Sequence, residues 1–321
     1  MFEKLKATIE NHNSIVIFGH PNPDGDCLGS QIGLRNTIRL NYPDKKVYAV
    51  GSGLRRFRDY FGRLDEVDDE VIANSLAILV DGNDLQRMED QRVWNAKAWI
   101  KIDHHVENYR FTQGDFVLDE EANSTCELIV LMIQECGWKI NPQIADALYL
   151  GICTDSGRFQ YITRFPEAFH EVAWLCEQGA NPKALNDILN ITYENALRFR
   201  GYIYSNYKKT EHGVIYMTLD NKTIAEYGLT ASKAGNMVNL LSNIVGYPIW
   251  VFICETEEGF SHIEFRSNGP AVQPIANSIG GGGHMMAAGA TLEKFDQRTI
   301  DHVIGLCDQA AEEYLKQKEG K

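Results

Sequence analysis

The 321-residue chain has no apolar run of about 18 residues, the length a helix needs to cross a bilayer, so no transmembrane helix is expected. Its first residues, Met1 to Glu10, mix charges and lack the apolar centre of a secretory signal. Cysteine is present but unorganised. The seven residues run from Cys27 to Cys307, an odd number without a C-x-x-C pair, which argues against a disulfide framework and a structural zinc site. A reducing cytoplasm is the expected setting. Positive charge is short: 31 Lys and Arg face 44 Asp and Glu, a net charge of −13. A binder of long polynucleotides needs a continuous basic face, whereas this surface should repel a long phosphate backbone. Internal repeats and low-complexity tracts are missing too. What remains, 44% hydrophobic and 23% charged, is an ordinary globular composition, long enough for two domains.

Acids and imidazoles recur at the ends of apolar runs. Ser14 to Gly19 is β-branched and reads as a buried strand, with His20 at its carboxyl end. Asp24 and Asp26 follow in a turn rich in Pro and Gly, where two carboxylates one residue apart can face two neighbouring ions. Leu76 to Val80 is a second strand ending on Asp81, and Ala98 to Ile102 a third, ending on Asp103-His104-His105. Asp155 follows a helix-like run, Ile144 to Cys153. A single Asp after a strand is commonly a turn former or helix cap. Four segments repeating the pattern point instead to one shared site in the crevice at the strand ends, where open α/β sheets bind ligands.

These residues resemble the DHH phosphoesterases. His20 to Ser30 (HPNPDGDCLGS) is similar to that family's first motif, with Cys27 where a small residue such as Ala is usual, a departure expected to leave the metal site intact. Val80-Asp81-Gly82-Asn83-Asp84 resembles the second motif, Asp103-His104-His105 the third and Thr154-Asp155-Ser156-Gly157 the fourth. Arg266-Ser267 and Gly280 to His284 resemble the DHH-associated substrate domain, DHHA1. Within the family the match is to the two-domain nano-RNase group, oligoribonucleases that also act on 3'-phosphoadenosine-5'-phosphate. The resemblance implies that His20 and Asp24 bind one metal, that Asp26, His104 and Asp155 bind a second, and that Asp81 bridges both. It places His105 beside the scissile phosphate, with Asp103 orienting the imidazoles and Arg158 assisting, and gives Arg266, Ser267, Gly282, Gly283 and His284 to the substrate.

The order of elements fits that scheme. Residues 1–185 alternate strands and helices, including amphipathic stretches at Ser30 to Leu40 and Ser124 to Cys136, the pattern of a parallel sheet with helices on both faces. Helices are expected at Pro166 to Gln178 and Pro182 to Asn190, and a helical connector spans residues 186–208. Residues 209–321 read as a smaller α+β domain: a strand at Val214 to Leu219, a helix from Ser232 to Ile244, a hairpin of Pro248 to Glu255 with Phe260 to Arg266, and a helix from Ala271 to Ile279. The four glycines before His284 would let backbone amides approach a phosphate or base. Arg55, Arg56 and Arg58 read as a solvated charged face, and Met285 and Met286 as core or loop packing residues.

The expectation is a two-metal phosphohydrolase that degrades short oligoribonucleotides to mononucleotides and dephosphorylates 3'-phosphoadenosine-5'-phosphate to AMP. Imidazoles with carboxylates suit Mn²⁺, with Mg²⁺ or Co²⁺ as alternatives. Related enzymes are weighed against it. A family II pyrophosphatase is disfavoured by the glycine-histidine motif and the absence of an Arg-Lys-Lys signature, a long-strand exonuclease by the acidic charge. A cyclic- or linear-dinucleotide phosphodiesterase is the nearer alternative. An inactive nucleotide-binding regulator is the alternative of another class, opposed by retention of every ligand. Expected partners are short RNA and small phosphorylated nucleotides, with no long nucleic acid and no membrane; a homodimer is left open.

Overall fold

A computed structural model describes residues 2–82, 85–105 and 114–319. Asn83 and Asp84 of the second motif lie outside the described residues. The chain divides into two compact units, Met1–Ile191 and Thr192–Lys321. That division falls within the segment expected as a connector.

The first unit is built on five parallel strands, β1 (Ser14–Phe18), β2 (Lys46–Val50), β3 (Leu76–Val80), β4 (Ala98–Asp103) and β5 (Asp115–Leu118), in the order β2-β1-β3-β4-β5. The strands alternate their side chains between faces, and both faces are apolar. Ile15, Ile17, Ile78 and Ile100 enter one core, whereas Val16, Phe18, Ala77 and Leu79 enter another. On the first face lie the helices Gly25–Asn41, Thr125–Cys136 and Pro142–Asp155. The second is covered by shorter pieces, including Asp69–Ala73 and the 3-10 turn Gln91–Asn95. Because every strand runs the same way, all carboxyl ends meet at one edge.

Helix Gly25–Asn41 starts earlier than the sequence pattern suggests. Asp24 accepts from the amides of Asp26 and Cys27, both at 3.0 Å, and so caps a helix whose first turn contains Asp26. Asp26 is therefore helical and buried rather than part of a Pro-Gly turn. The helix packs closely on Pro142–Asp155: a Cβ on Gly29 would lie 2.3 Å from the Ala147 carbonyl, and one on Gly151 would lie 2.6 Å from Asp26 Oδ1. Only glycine permits that approach.

The second unit contains six strands, β6 (Lys208–Lys209), β7 (Val214–Leu219), β8 (Ile249–Glu255), β9 (Ser261–Ser267), β10 (Gly282–His284) and β11 (Ala287–Leu292), in the order β10-β11-β9-β8-β7-β6. Only β7 and β8 pair in parallel. The long helix Gln297–Glu319 covers one face and Glu194–Asn206 belongs to the other side's core region. Two sequence expectations are corrected here. The helix expected over Ser232 to Ile244 is broken into Ala231–Gly235 and a 3-10 turn, Val238–Leu241. Gly235 weakens the helix, and Asn239 Oδ1 accepts from Trp250 Nε1 at 3.1 Å, tying the chain to β8. Part of the glycine run is strand, since Gly282–His284 pairs with β11. Met285 and Met286 form the two-residue turn of that hairpin and are exposed, at 57% and 45%, rather than part of a core.

Candidate active site

The carboxyl edge of the parallel sheet gathers three imidazoles and four carboxylates. His20 follows β1, Asp81 follows β3, and Asp103 ends β4 with His104 and His105 behind it. Asp26 comes from the first turn of helix Gly25–Asn41, Asp155 from the last turn of Pro142–Asp155. Asp81 itself has φ +56°, an uncommon left-handed conformation outside glycine that short polar side chains tolerate and that occurs at functional sites.

Each histidine has its Nδ1 engaged, which sets the tautomer. A carbonyl can only accept, so His20 Nδ1 donates to Pro21 O at 2.9 Å and His104 Nδ1 donates to Ala122 O at 3.1 Å. His105 Nδ1 lies 2.9 Å from Asp103 Oδ1, which also accepts the His105 amide at 3.1 Å. With Nδ1 so occupied, Nε2 is the ring nitrogen that each histidine can offer to a cation, on His20 once its proton has left. His104 Nε2 is buried with no hydrogen-bond partner among the described residues, yet Asp155, Asp81 and Asp26 oxygens stand 3.2, 3.8 and 3.9 Å away. Such an orphaned nitrogen ringed by acids is what a divalent cation satisfies. Among the described residues, three overlapping groups have ligand atoms within 4.8 Å of one another: Asp26, His104 and Asp155; Asp81, His104 and His105; and His20, Cys27 and Asp81.

The electrostatics agree. Burial pushes the Asp26 carboxyl well above its ordinary range, and the charges of Asp81 and Asp155 push it further. Burial also raises Asp155 to about 6, against the opposing pull of His104. For Asp81, burial works upward but its bond to His20 and the nearby His105 and His104 win, and it stays below its usual value. The bond to Asp81, with Nε2 and Oδ2 3.5 Å apart, raises His20 to about 12, so a cation must displace a tightly held proton there.

Of the residues singled out in the sequence, His20, Asp26, Asp81, Asp103, His104, His105 and Asp155 are brought together. Asp24 Oδ1 is 3.9 Å from His20 Nε2 while the same oxygen caps the helix. Arg158 instead has φ +59° and donates to Asn190 Oδ1 at 2.7 Å. Arg164 bridges Asp119 and Glu127, at 3.1 and 2.9 Å. In the second unit, the β10-β11-β9 register aligns His284, Ala287 and Arg266 in one cross-strand row, next to a row of Gly282, Gly289 and Glu264. Arg266 pairs with Glu264 at 2.9 Å. Ser267 donates its hydroxyl to Pro270 O at 2.6 Å, and Gly283 O accepts from Gln273 Nε2 at 2.6 Å.

Several contributors have no motif to announce them. The amides of Thr125 and Cys126, at the start of helix Thr125–Cys136, grip the two oxygens of Asp26 at 2.7 and 2.9 Å. Thr125 Oγ1 donates to Asp81 at 3.3 Å. The buried Lys101 brings Nζ to 3.5 Å from Asp103 Oδ2, behind the His105 bond. A cleft of about 580 Å³ opens beside His20, Asp81 and His105, and its wall includes Arg87. The Ser124 cap before an apolar run was the one signal that a helix end would arrive here.

Residues 14–152 match the model of the DHH family N-terminal domain, and residues 211–316 match the DHHA1 domain. The bifunctional oligoribonuclease and PAP phosphatase NrnA of Mycoplasma pneumoniae is 35% identical over 94% of both chains. This chain belongs to the DHH family. The Bacillus subtilis protein of the same name is 33% identical over 96% of this chain and 99% of its own. A crystal structure of an exopolyphosphatase-related protein from Bacteroides fragilis superposes with a TM-score of 0.83 at 25% identity, covering 98% of this chain and 96% of that one. DHH proteins are phosphoesterases that use divalent metals, and the groups described above suit such ions. The chain is accordingly an enzyme of phosphoester hydrolysis.

Proposed function

We propose that the protein hydrolyses short oligoribonucleotides to mononucleotides and removes the 3'-phosphate of 3'-phosphoadenosine-5'-phosphate. The reading is carried by the ring of three carboxylates around the orphaned His104 Nε2, continuous through Asp81 with His20 and His105. The relatives named above support the substrate class. In this reading His20 and Asp24 hold one cation, Asp26, His104 and Asp155 hold the other, and Asp81 lies between. Divalent ions bound there supply Lewis acidity toward a phosphoryl oxygen and make water more acidic; Mn²⁺ is the ion we assign.

The chain's own residues do the rest. The helix start at Thr125 fixes Asp26 through two amides, so its oxygens do not reorganise during the reaction. Asp103 holds His105 Nδ1–H and aims Nε2 outward, where the imidazole contacts the scissile phosphate and stabilises its developing charge. Arg158 assists as a cation by releasing Asn190 and turning toward the phosphate. In the DHHA1 unit Arg266, Ser267, Gly282, Gly283 and His284 hold the nucleotide, with small Gly282, Ala287 and Gly289 leaving a low floor between Arg266 and His284. We assign residues 1–185 to catalysis and 209–321 to substrate binding, joined by 186–208, and place the enzyme in the cytoplasm. No described helix is long and apolar enough to cross a membrane.

The test offers Mn²⁺-loaded protein, side by side, ribo-oligonucleotides of graded length, 3'-phosphoadenosine-5'-phosphate, pyrophosphate and cyclic dinucleotides. Turnover of the first two above the others is expected. Preference for cyclic dinucleotides or pyrophosphate would overturn the assignment.

A further inference from the structure

One buried group at the site is untouched by the mechanism above. Cys27 lies in the first turn of helix Gly25–Asn41, fully buried, and its sulfur belongs to the group whose ligand atoms converge within 4.8 Å with those of His20 and Asp81. Donor atoms around one tetrahedral ion stand roughly 3.3–3.8 Å apart, so a small contraction brings the three to bonding distance. The surroundings direct the sulfur toward the site. A Cβ on Gly19 would sit 2.4 Å from Sγ, so glycine at the end of β1 is what leaves room for it. Its hydrogen-bond contact away from the site is long, 4.0 Å to Gln31 Oε1, while Gln31 Nε2 is occupied with Val50 O at 2.9 Å. His20 Nδ1 is tied to Pro21 O, which leaves Nε2 as the nitrogen that faces Asp81.

We propose that Cys27 is a metal ligand: with His20 and Asp81 it forms a mixed sulfur, nitrogen and oxygen site that takes Co²⁺ or Zn²⁺ in preference to Mg²⁺. The inference rests on the two-metal reading and deepens it. Binding breaks the S–H bond and forms a sulfur–metal bond, and the thiol proton leaves to solvent together with the proton held on His20 Nε2. Thiolate is a soft ligand and favours the softer ions, whereas Asp26, His104 and Asp155 offer nitrogen and oxygen alone. The two halves of the centre therefore differ in metal preference.

The experiment is the absorption spectrum of the full chain loaded with Co²⁺, with bound cobalt counted by elemental analysis. A near-ultraviolet thiolate-to-cobalt charge-transfer band is expected in the wild type, lost in both Cys27→Ser and Cys27→Ala, and retained in Cys176→Ser, where the exposed thiol is removed. A wild-type protein that binds two cobalt ions per chain without the band overturns the proposal, even if neither Cys27 variant folds. So does a band that survives in folded Cys27 variants or disappears with Cys176. Binding of a single cobalt ion with the band intact would instead strike the two-metal reading and leave Cys27 as a ligand.

Discussion

Asp81 is the residue on which the site turns, because His20, His104 and His105 all stand within 3.8 Å of its oxygens. Asp81→Ala should reduce turnover by more than about 100-fold and lower bound metal, whereas the exposed Glu257→Ala should change neither. Normal hydrolysis by Asp81→Ala with full metal content contradicts the bridging role. A second residue-scale prediction concerns a group outside the site. Glu171 is 4% exposed, its Oε2 has no hydrogen-bond partner among the described residues, and burial together with Glu127 raises it from 4.5 to about 8. Between those values the folded protein holds a proton that the unfolded chain has released, so stability falls as pH rises through this window. Glu171→Gln should flatten that slope and gain about 1–3 kcal/mol at pH 8 in urea unfolding. An unchanged slope would show that Glu171 titrates normally.

At the scale of elements, the strands were legible because Ser14 to Phe18, Leu76 to Val80 and Ala98 to Ile102 are short apolar runs buried on both sides, and their ends carried the acids and imidazoles in plain view. The support of those acids was hidden. Asp26 is held by backbone amides 99 and 100 residues away, and an amide has no sequence signature. The strand in the glycine run was hidden for a related reason, because only pairing with Ala287–Leu292 makes part of it a strand. Helix packing is the third feature hidden from periodicity, because Gly151 matters for what it lets approach. Gly151→Ala would press a methyl group to 2.2 Å from Cys126 Sγ and 2.6 Å from Asp26 Oδ1. It should cost about 1–3 kcal/mol in urea unfolding and weaken metal binding, since relief of the clash moves Asp26. Unaltered stability and metal affinity would mean that the two helices have slack.

For the whole molecule, two units with separate cores make separable roles testable. Arg266→Ala and His284→Ala should keep full metal content while kcat/KM on nucleotides falls, and metal loss in either variant would show that the roles are misplaced. Net charge then bears on substrate length. With 44 acidic against 31 basic residues, nucleotides beyond the few that are held gain little attraction and meet repulsion. The measurement that reaches the central claim most directly is kcat/KM of Mn²⁺-loaded protein across an RNA ladder from dinucleotides to about 24 nucleotides at fixed salt, because salt screens phosphate contacts. Efficiency should peak at about two to five nucleotides and decline beyond, opposite to a groove-binding enzyme whose affinity grows with each phosphate. A rate that climbs steadily with length contradicts the short-RNA assignment.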